Sequence, residues 1–289
     1  MCSLGPSTPR FVANARGASL LELLVAVGIT VTAVAVTTTF LSATRRTATS
    51  QELAVEATNN ARAALDVLVR DIRLAGACLP ITGDFIALDG TNSGSEDHIW
   101  IRSGLVRPDM SCVRTATTAD LPRSASTIPV ETVNGFSVGM RAYIRGPAGL
   151  GEYFTVTSVD SSTSRLGKSG SFSNDYPLGS GVYAIDERHY FLNHWAAPWG
   201  DTPELMMQVG DATAQPFAVG IEQLDFQYQL RRNCPPCDVV DLPATEDEWR
   251  LVEQVILTVR ARSDKTRPEG GYHTRSVAVN IKPRNLLPK

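Results

Sequence analysis

Hydrophobic residues follow three textures along this chain. From Ala18 to Leu41 they are nearly continuous: Leu20, Leu21, Leu23, Leu24, Val25, Val27, Ile29, Val31, Val34, Val36 and Phe40 form a run broken by one charge, Glu22, and by no proline. These 24 residues exceed the ~20 that a helix needs to cross the hydrocarbon core of a bilayer. Between Thr44 and Ala75 there is neither Pro nor Gly, and Leu53, Ala57, Ala61, Ala64, Leu65, Leu68 and Ile72 recur at steps of three and four. That spacing predicts an amphipathic helix with Arg62, Asp66, Arg70 and Arg73 off its apolar stripe. Gly76 suits a C-cap and Pro80 a stop. One helix from Ala18 to Ala75 would hold 58 residues and extend ~87 Å. Its weak points are Gly28 and the threonines Thr37, Thr38 and Thr39.

After Pro80 the pattern changes to short alternating runs separated by Gly, Pro, Asn, Asp and Ser. Predicted strands cover His98–Arg102, Ile128–Val133, Arg141–Arg145, Tyr153–Val159, Val182–Asp186, Leu205–Val209, Leu224–Leu230, Glu253–Arg262 and Ser276–Lys282. The last two alternate most clearly, and the segment Ser263 to Gly271 suits a hairpin connection. A sheet with one apolar face must be covered, and the helix stripe is the available cover. Residues 124–190 are dense in turn signals and are expected to form an additional small β module. The expected fold class is therefore α+β, a long N-terminal helix packed on an antiparallel sheet.

Glu22 is the anomaly in the apolar run. An acid in hydrocarbon costs a few kcal/mol, so it needs a partner or a task. If the chain were cut after Gly17, the free amine of Ala18 would lie one helical turn away, at the i,i+4 spacing that neutralises both charges. Gly17, followed by an apolar run with Glu at its fifth position, resembles the N-terminal signal of type IV prepilins and type II secretion pseudopilins. The resemblance implies removal of residues 1–17 by prepilin peptidase and N-methylation of Ala18, which stands where the family usually has Phe. It also implies a helix that leaves the membrane to pack in a filament core. The run from Ala61 to Gly76, ending Asp71-Ile72-Arg73-Leu74-Ala75-Gly76, is similar to the second half of the long helix in PilW-type minor pilins and J-type pseudopilins. Val219 to Tyr228, then Trp249, Val252 and Val255, resembles the C-terminal region of PilW-type proteins. An ordinary signal anchor explains the apolar run but neither Glu22 nor the Gly17 junction. A secretory signal cut at Ala33-x-Ala35 would set its apolar run too far from Met1.

Charge and cysteines refine this picture. Formal net charge is -3, and without Arg10 and Arg16 of the leader the chain carries 25 bases against 30 acids. Basic residues occur as isolated pairs such as Arg45-Arg46 and Arg231-Arg232, so no nucleic-acid face is expected. The leader's arginines keep Met1 cytoplasmic and export the remainder. In an exported domain the even set Cys78, Cys112, Cys234 and Cys237 reads as two disulfides. Three connectivities are open; Cys78–Cys112 with Cys234–Cys237 is preferred, because the Cys-Pro-Pro-Cys loop can close by itself.

Candidate chemistry is sparse. Gly167-Lys168-Ser169 is half a phosphate-binding motif, but Ser162 replaces its first glycine and no helix pattern follows, so a surface turn is expected. There is no Gly-x-Ser-x-Gly elbow and no His-Glu-x-x-His helix. Cys234 and Cys237 with His189 and His194 could supply four zinc ligands, yet the histidine spacing and export favour a disulfide. The acids Asp238, Asp241, Glu246, Asp247 and Glu248 lack EF-hand spacing and read as a solvated loop. Trp195 and Trp199 read as core rather than as an exposed binding surface.

The expectation is a structural protein rather than an enzyme, with no cofactor and no metal. Residues 1–17 form a prepilin leader, 18–80 the pilin helix with its membrane span at about 18–41, and 81–289 the exported β-rich domain. The resemblance implies a minor pilin that primes or caps a type IV pilus, first in the inner membrane and then at the cell surface. Its partners would be prepilin peptidase, other minor pilins and the major pilin. The alternatives are a J-type pseudopilin of type II secretion and a membrane-tethered adhesin.

Overall fold

A computed structural model describes residues 19–80, 83–92, 97–194, 202–267 and 269–286. They fall into two units, one ending at Gln51 and one beginning at Glu52. Helix α1, Leu20–Leu74, runs from the first into the second without a break at Gly28 or at Thr37–Thr39. The threonines are accommodated by back-bonding: Thr37 Oγ1 donates to the Ala33 carbonyl at 2.7 Å, and Thr38 and Thr39 both donate to that of Ala35 at 3.0 Å. Thr30 and Thr32 do the same toward Ala26 and Gly28, so every threonine hydroxyl between Leu20 and Leu41 is satisfied by its own helix.

In the second unit the predicted stripe is the buried face of the helix: Leu53, Ala57, Ala61, Ala64, Leu65, Leu68 and Ile72 are all buried. Asp71 is buried with them. The helix ends where Gly76 takes a positive φ of 75°, the conformation that favours glycine just past a helix C-terminus.

The remaining elements are antiparallel strands, so the fold class is α+β. Strands β1 (Leu88–Thr91), β2 (His98–Gly104), β3 (Arg114–Ala116), β4 (Thr127–Pro129), β5 (Arg141–Arg145), β6 (Gly151–Asp160), β7 (Arg165–Lys168), β8 (Gly181–His194), β9 (Pro203–Val209) and β10 (Gln215–Val219) share one sheet. Its spine is β8, fourteen residues long. The first part of β8 pairs with β3 and β5, the second with β2 and β9. A second sheet has the order β12-β11-β13-β14, from β11 (Ile221–Leu230), β12 (Asp238–Val240), β13 (Val252–Thr266) and β14 (Tyr272–Ile281). A one-turn helix, α2 (Glu246–Arg250), precedes β13; Thr245 caps it and Trp249 packs edge-on against Tyr228.

Two apolar clusters result. One joins the helix residues Ala61 to Ala75 to Leu224, Phe226, Tyr228, Val255, Leu257 and Val259 of the second sheet, and to Ile99, Ile101, Tyr190 and Leu192 of the first. The other lies within residues 113–184 and includes Ile128, Phe136, Ile144, Phe154, Leu166 and Tyr176. Several boundaries differ from the sequence expectation. The strand expected over Val182–Asp186 continues to His194, that expected over Ile128–Val133 stops at Pro129, and the hairpin connection shortens to residues 267–271.

Candidate functional site

Glu22 lies in the first turn of α1, far from the first buried residue of the helix, Leu53. Around it Leu20, Leu21, Leu23, Leu24 and Val25 are each more than half exposed, and the exposed apolar surface continues to Leu41. Helix α1 is long and apolar enough to cross a membrane. With the threonine hydroxyls back-bonded to the helix, Glu22 is the one charged side chain among the described residues of this stretch, and in lipid it would need a partner from elsewhere. Gly17 and Ala18 lie outside the described residues, as do Trp195 and Trp199.

The other end of the helix is held by a dense set of polar contacts that the apolar pattern did not signal. Asp71 Oδ2 accepts hydrogen bonds from the Tyr190 hydroxyl at 2.6 Å and from Arg188 Nη1 at 2.8 Å, while Oδ1 faces Arg70 Nε at 3.2 Å. Arg188 also binds Asp186 at 2.9 Å. Burial works against the Arg188 charge, but Asp186 and Asp71 outweigh it and hold the guanidinium above its ordinary pKa. The Tyr190 phenol is pushed up by burial and then by the carboxylate it serves. One strand step away, Glu187 is clamped between Arg102 at 2.5 Å and Arg141 at 2.7 Å, and both guanidinium groups lie over the Tyr153 ring.

Past Leu74 the backbone docks on β2: Gly76 N–H donates to the Arg102 carbonyl at 2.9 Å and Gly104 N–H to that of Ala77 at 2.7 Å. A disulfide joins Cys78 to Cys112, with Cα atoms 5.5 Å apart. A Cβ at Gly104 would sit 2.7 Å from that of Cys78, which explains the glycine. Ion pairs, backbone bonds and the disulfide thus fix the helix end against the sheet and determine the helix's rotation. The arrangement is a mechanical anchor, and a cavity of about 300 Å³ beside it is lined by Asp71, Ser103, Asp186 and Arg188.

Cys234 and Cys237 form the second disulfide, which removes both thiolates; Glu253, close to their sulfurs, binds Lys282 at 2.7 Å. His189 is not brought to them but hydrogen-bonds His98, ring nitrogen to ring nitrogen at 2.9 Å, and stacks on Trp100. Burial, with the neighbouring His98, holds His189 below its ordinary pKa. Lys168 corrects the expectation of a surface turn. It ends β7 buried, donates to the Gly170 carbonyl at 2.8 Å and sits over the Phe172 ring at 3.8 Å. The acid-rich segment is in part a solvated loop, as expected, with Asp241 in a bend, but Asp238 lies in β12 and Glu248 in α2, and Arg232 ties the two together. The chain matches no protein-family model and no curated protein.

Proposed function

We propose that this chain is a structural subunit of a filament assembled from the inner membrane, a minor pilin of the PilW type that primes or caps a type IV pilus. Glu22 carries this reading: it is the only charge in an exposed apolar surface that runs from Leu20 to Leu41, five positions beyond Gly17. A permanent membrane anchor gains nothing from that acid, whereas a helix that must find its axial register among neighbours gains a charge to meet their N-terminal amines. The anchored helix end supports the same reading, since a filament transmits load from the helix to the exported domain. On this reading the helix stripe is the cover of the second sheet, and residues of about 124–190 are an additional small β module joined to the rest of the first sheet through β8.

Two experiments test the proposal. Mass spectrometry of the native N-terminus is expected to find Ala18 first and methylated; an intact leader, or a cut near Ala35, would refute it. Replacing Glu22→Ala is expected to ease membrane insertion by up to a few kcal/mol while abolishing incorporation into filaments. Normal piliation at normal membrane levels of the variant would reduce the helix to an ordinary anchor.

A further inference from the structure

We propose that the groove between α1 and β14 receives the acidic β12–α2 corner of a second copy of this chain. The groove encloses about 720 Å³. Leu65, Val69 and Val279 give it an apolar floor, and Arg62, Arg73 and Arg284 stand at its rim. No carboxylate of a described residue lies within ion-pair distance of those three arginines, and Asp66 is the only acid among the residues lining the groove. Arg70 is committed to Asp71. Unpaired guanidinium groups around an apolar floor select an occupant that carries carboxylates beside an aliphatic side chain.

The β12–α2 corner has that chemistry. Val239 is 51% exposed at the middle of an edge strand, with Asp238 and Asp241 close by in sequence. Glu246 and Asp247 extend from α2 with side chains 72% and 90% exposed. Although Arg250 binds both, most of their surface remains open to a partner. Of the five acids from Asp238 to Arg250, Asp238 and Glu248 are tied to Arg232, which leaves Asp241, Glu246 and Asp247 to face the arginines of the groove. Groove and corner are different patches of one chain, so the contact is head-to-tail and does not close on a pair. A neighbour that uses its own groove can accept a third copy.

The inference does not depend on the assignment to pili, and its test separates the two. The probe is the full chain in detergent micelles, followed by sedimentation velocity over a concentration series at low and high salt. Wild type is expected to self-associate, with the association constant falling at least about tenfold at high salt. The triple variants Arg62→Glu/Arg73→Glu/Arg284→Glu and Asp241→Arg/Glu246→Arg/Asp247→Arg are each expected to stay monomeric while keeping the wild-type circular dichroism spectrum. Mixed in equal amounts they should associate one to one, because the first keeps a native corner and the second a native groove. A wild type that stays monomeric to about 100 μM, variants that associate like wild type, or a mixture that fails to associate would each overturn the contact. A monomeric chain still cut after Gly17 would leave the pilin reading standing. An associating chain that is never cut would do the reverse.

Discussion

Replacing Asp71 with alanine should cost residues 52–289 about 2–4 kcal/mol of stability. The carboxylate is 4% exposed and takes two short hydrogen bonds on one oxygen. Removing one partner of a buried ion pair costs ~3–5 kcal/mol when the other is left uncompensated. Here Arg188 is 29% exposed and keeps Asp186, so solvent and the second acid absorb part of that penalty. Against this, the buried Tyr190 hydroxyl loses its acceptor and keeps only the Met207 thioether at 3.3 Å, a loss of ~1 kcal/mol or more. For a unit of this size 1 kcal/mol moves the melting temperature by ~2–4 °C, so a fall of about 4–16 °C is expected by calorimetry. Arg188→Ala and the double variant complete a thermodynamic cycle whose coupling should exceed ~1 kcal/mol. A single variant melting within ~2 °C of wild type, or a cycle additive within ~0.5 kcal/mol, would refute the argument that this pair locks the helix.

Two further predictions concern redox state and pH. Cys78 and Cys112 close a loop of 34 positions, so replacing both with serine should cost ~3–4 kcal/mol by chain-entropy arithmetic, whereas the Cys234–Cys237 loop of three should cost far less; equal melting shifts for the two pairs would contradict this. Because His189 sits below its ordinary 6.5 in the folded chain, the unfolded chain takes up the proton first as pH falls. Stability should therefore be lost as pH drops from 6.5 through the native value. His189→Phe, which keeps the stack on Trp100, should flatten the melting profile between about pH 7 and 5; an unchanged slope would rule the histidine out as its source.

The helix was legible because its signal is local: seven apolar residues at steps of three and four identify one buried face without knowledge of what covers it. The alternation over β13 and β14 was legible for the same reason. The second part of strand β8 was not, because the charged run Asp186-Glu187-Arg188-His189 interrupts the alternation at the point where the expected strand stops. Those charges stay within the strand because Arg102, Arg141, Asp71 and His98 meet them from up to 117 positions away, as in Arg188 to Asp71. Pairings at that range leave no trace in a window of a dozen residues. Short strands such as β1, β3 and β12 were missed because three or four residues carry too little period to count. Asp71 was passed over because a charge beside an apolar stripe is ordinarily solvated, and only the sheet's Arg188 and Tyr190 make its burial affordable.

The back-bonded threonines give the apolar helix an unusual indifference to its surroundings. A hydroxyl that relies on water or on a neighbouring helix must break that bond whenever the helix changes environment, and each such exchange adds to the barrier. Thr30, Thr32, Thr37, Thr38 and Thr39 carry their acceptors with them. Moving this segment from acyl chains to a packed protein bundle leaves its threonine hydrogen bonds unchanged. If the helix does pass from membrane to filament as proposed, surface contact and one carboxylate remain to set the free energy of that step, which would make Glu22 its point of control.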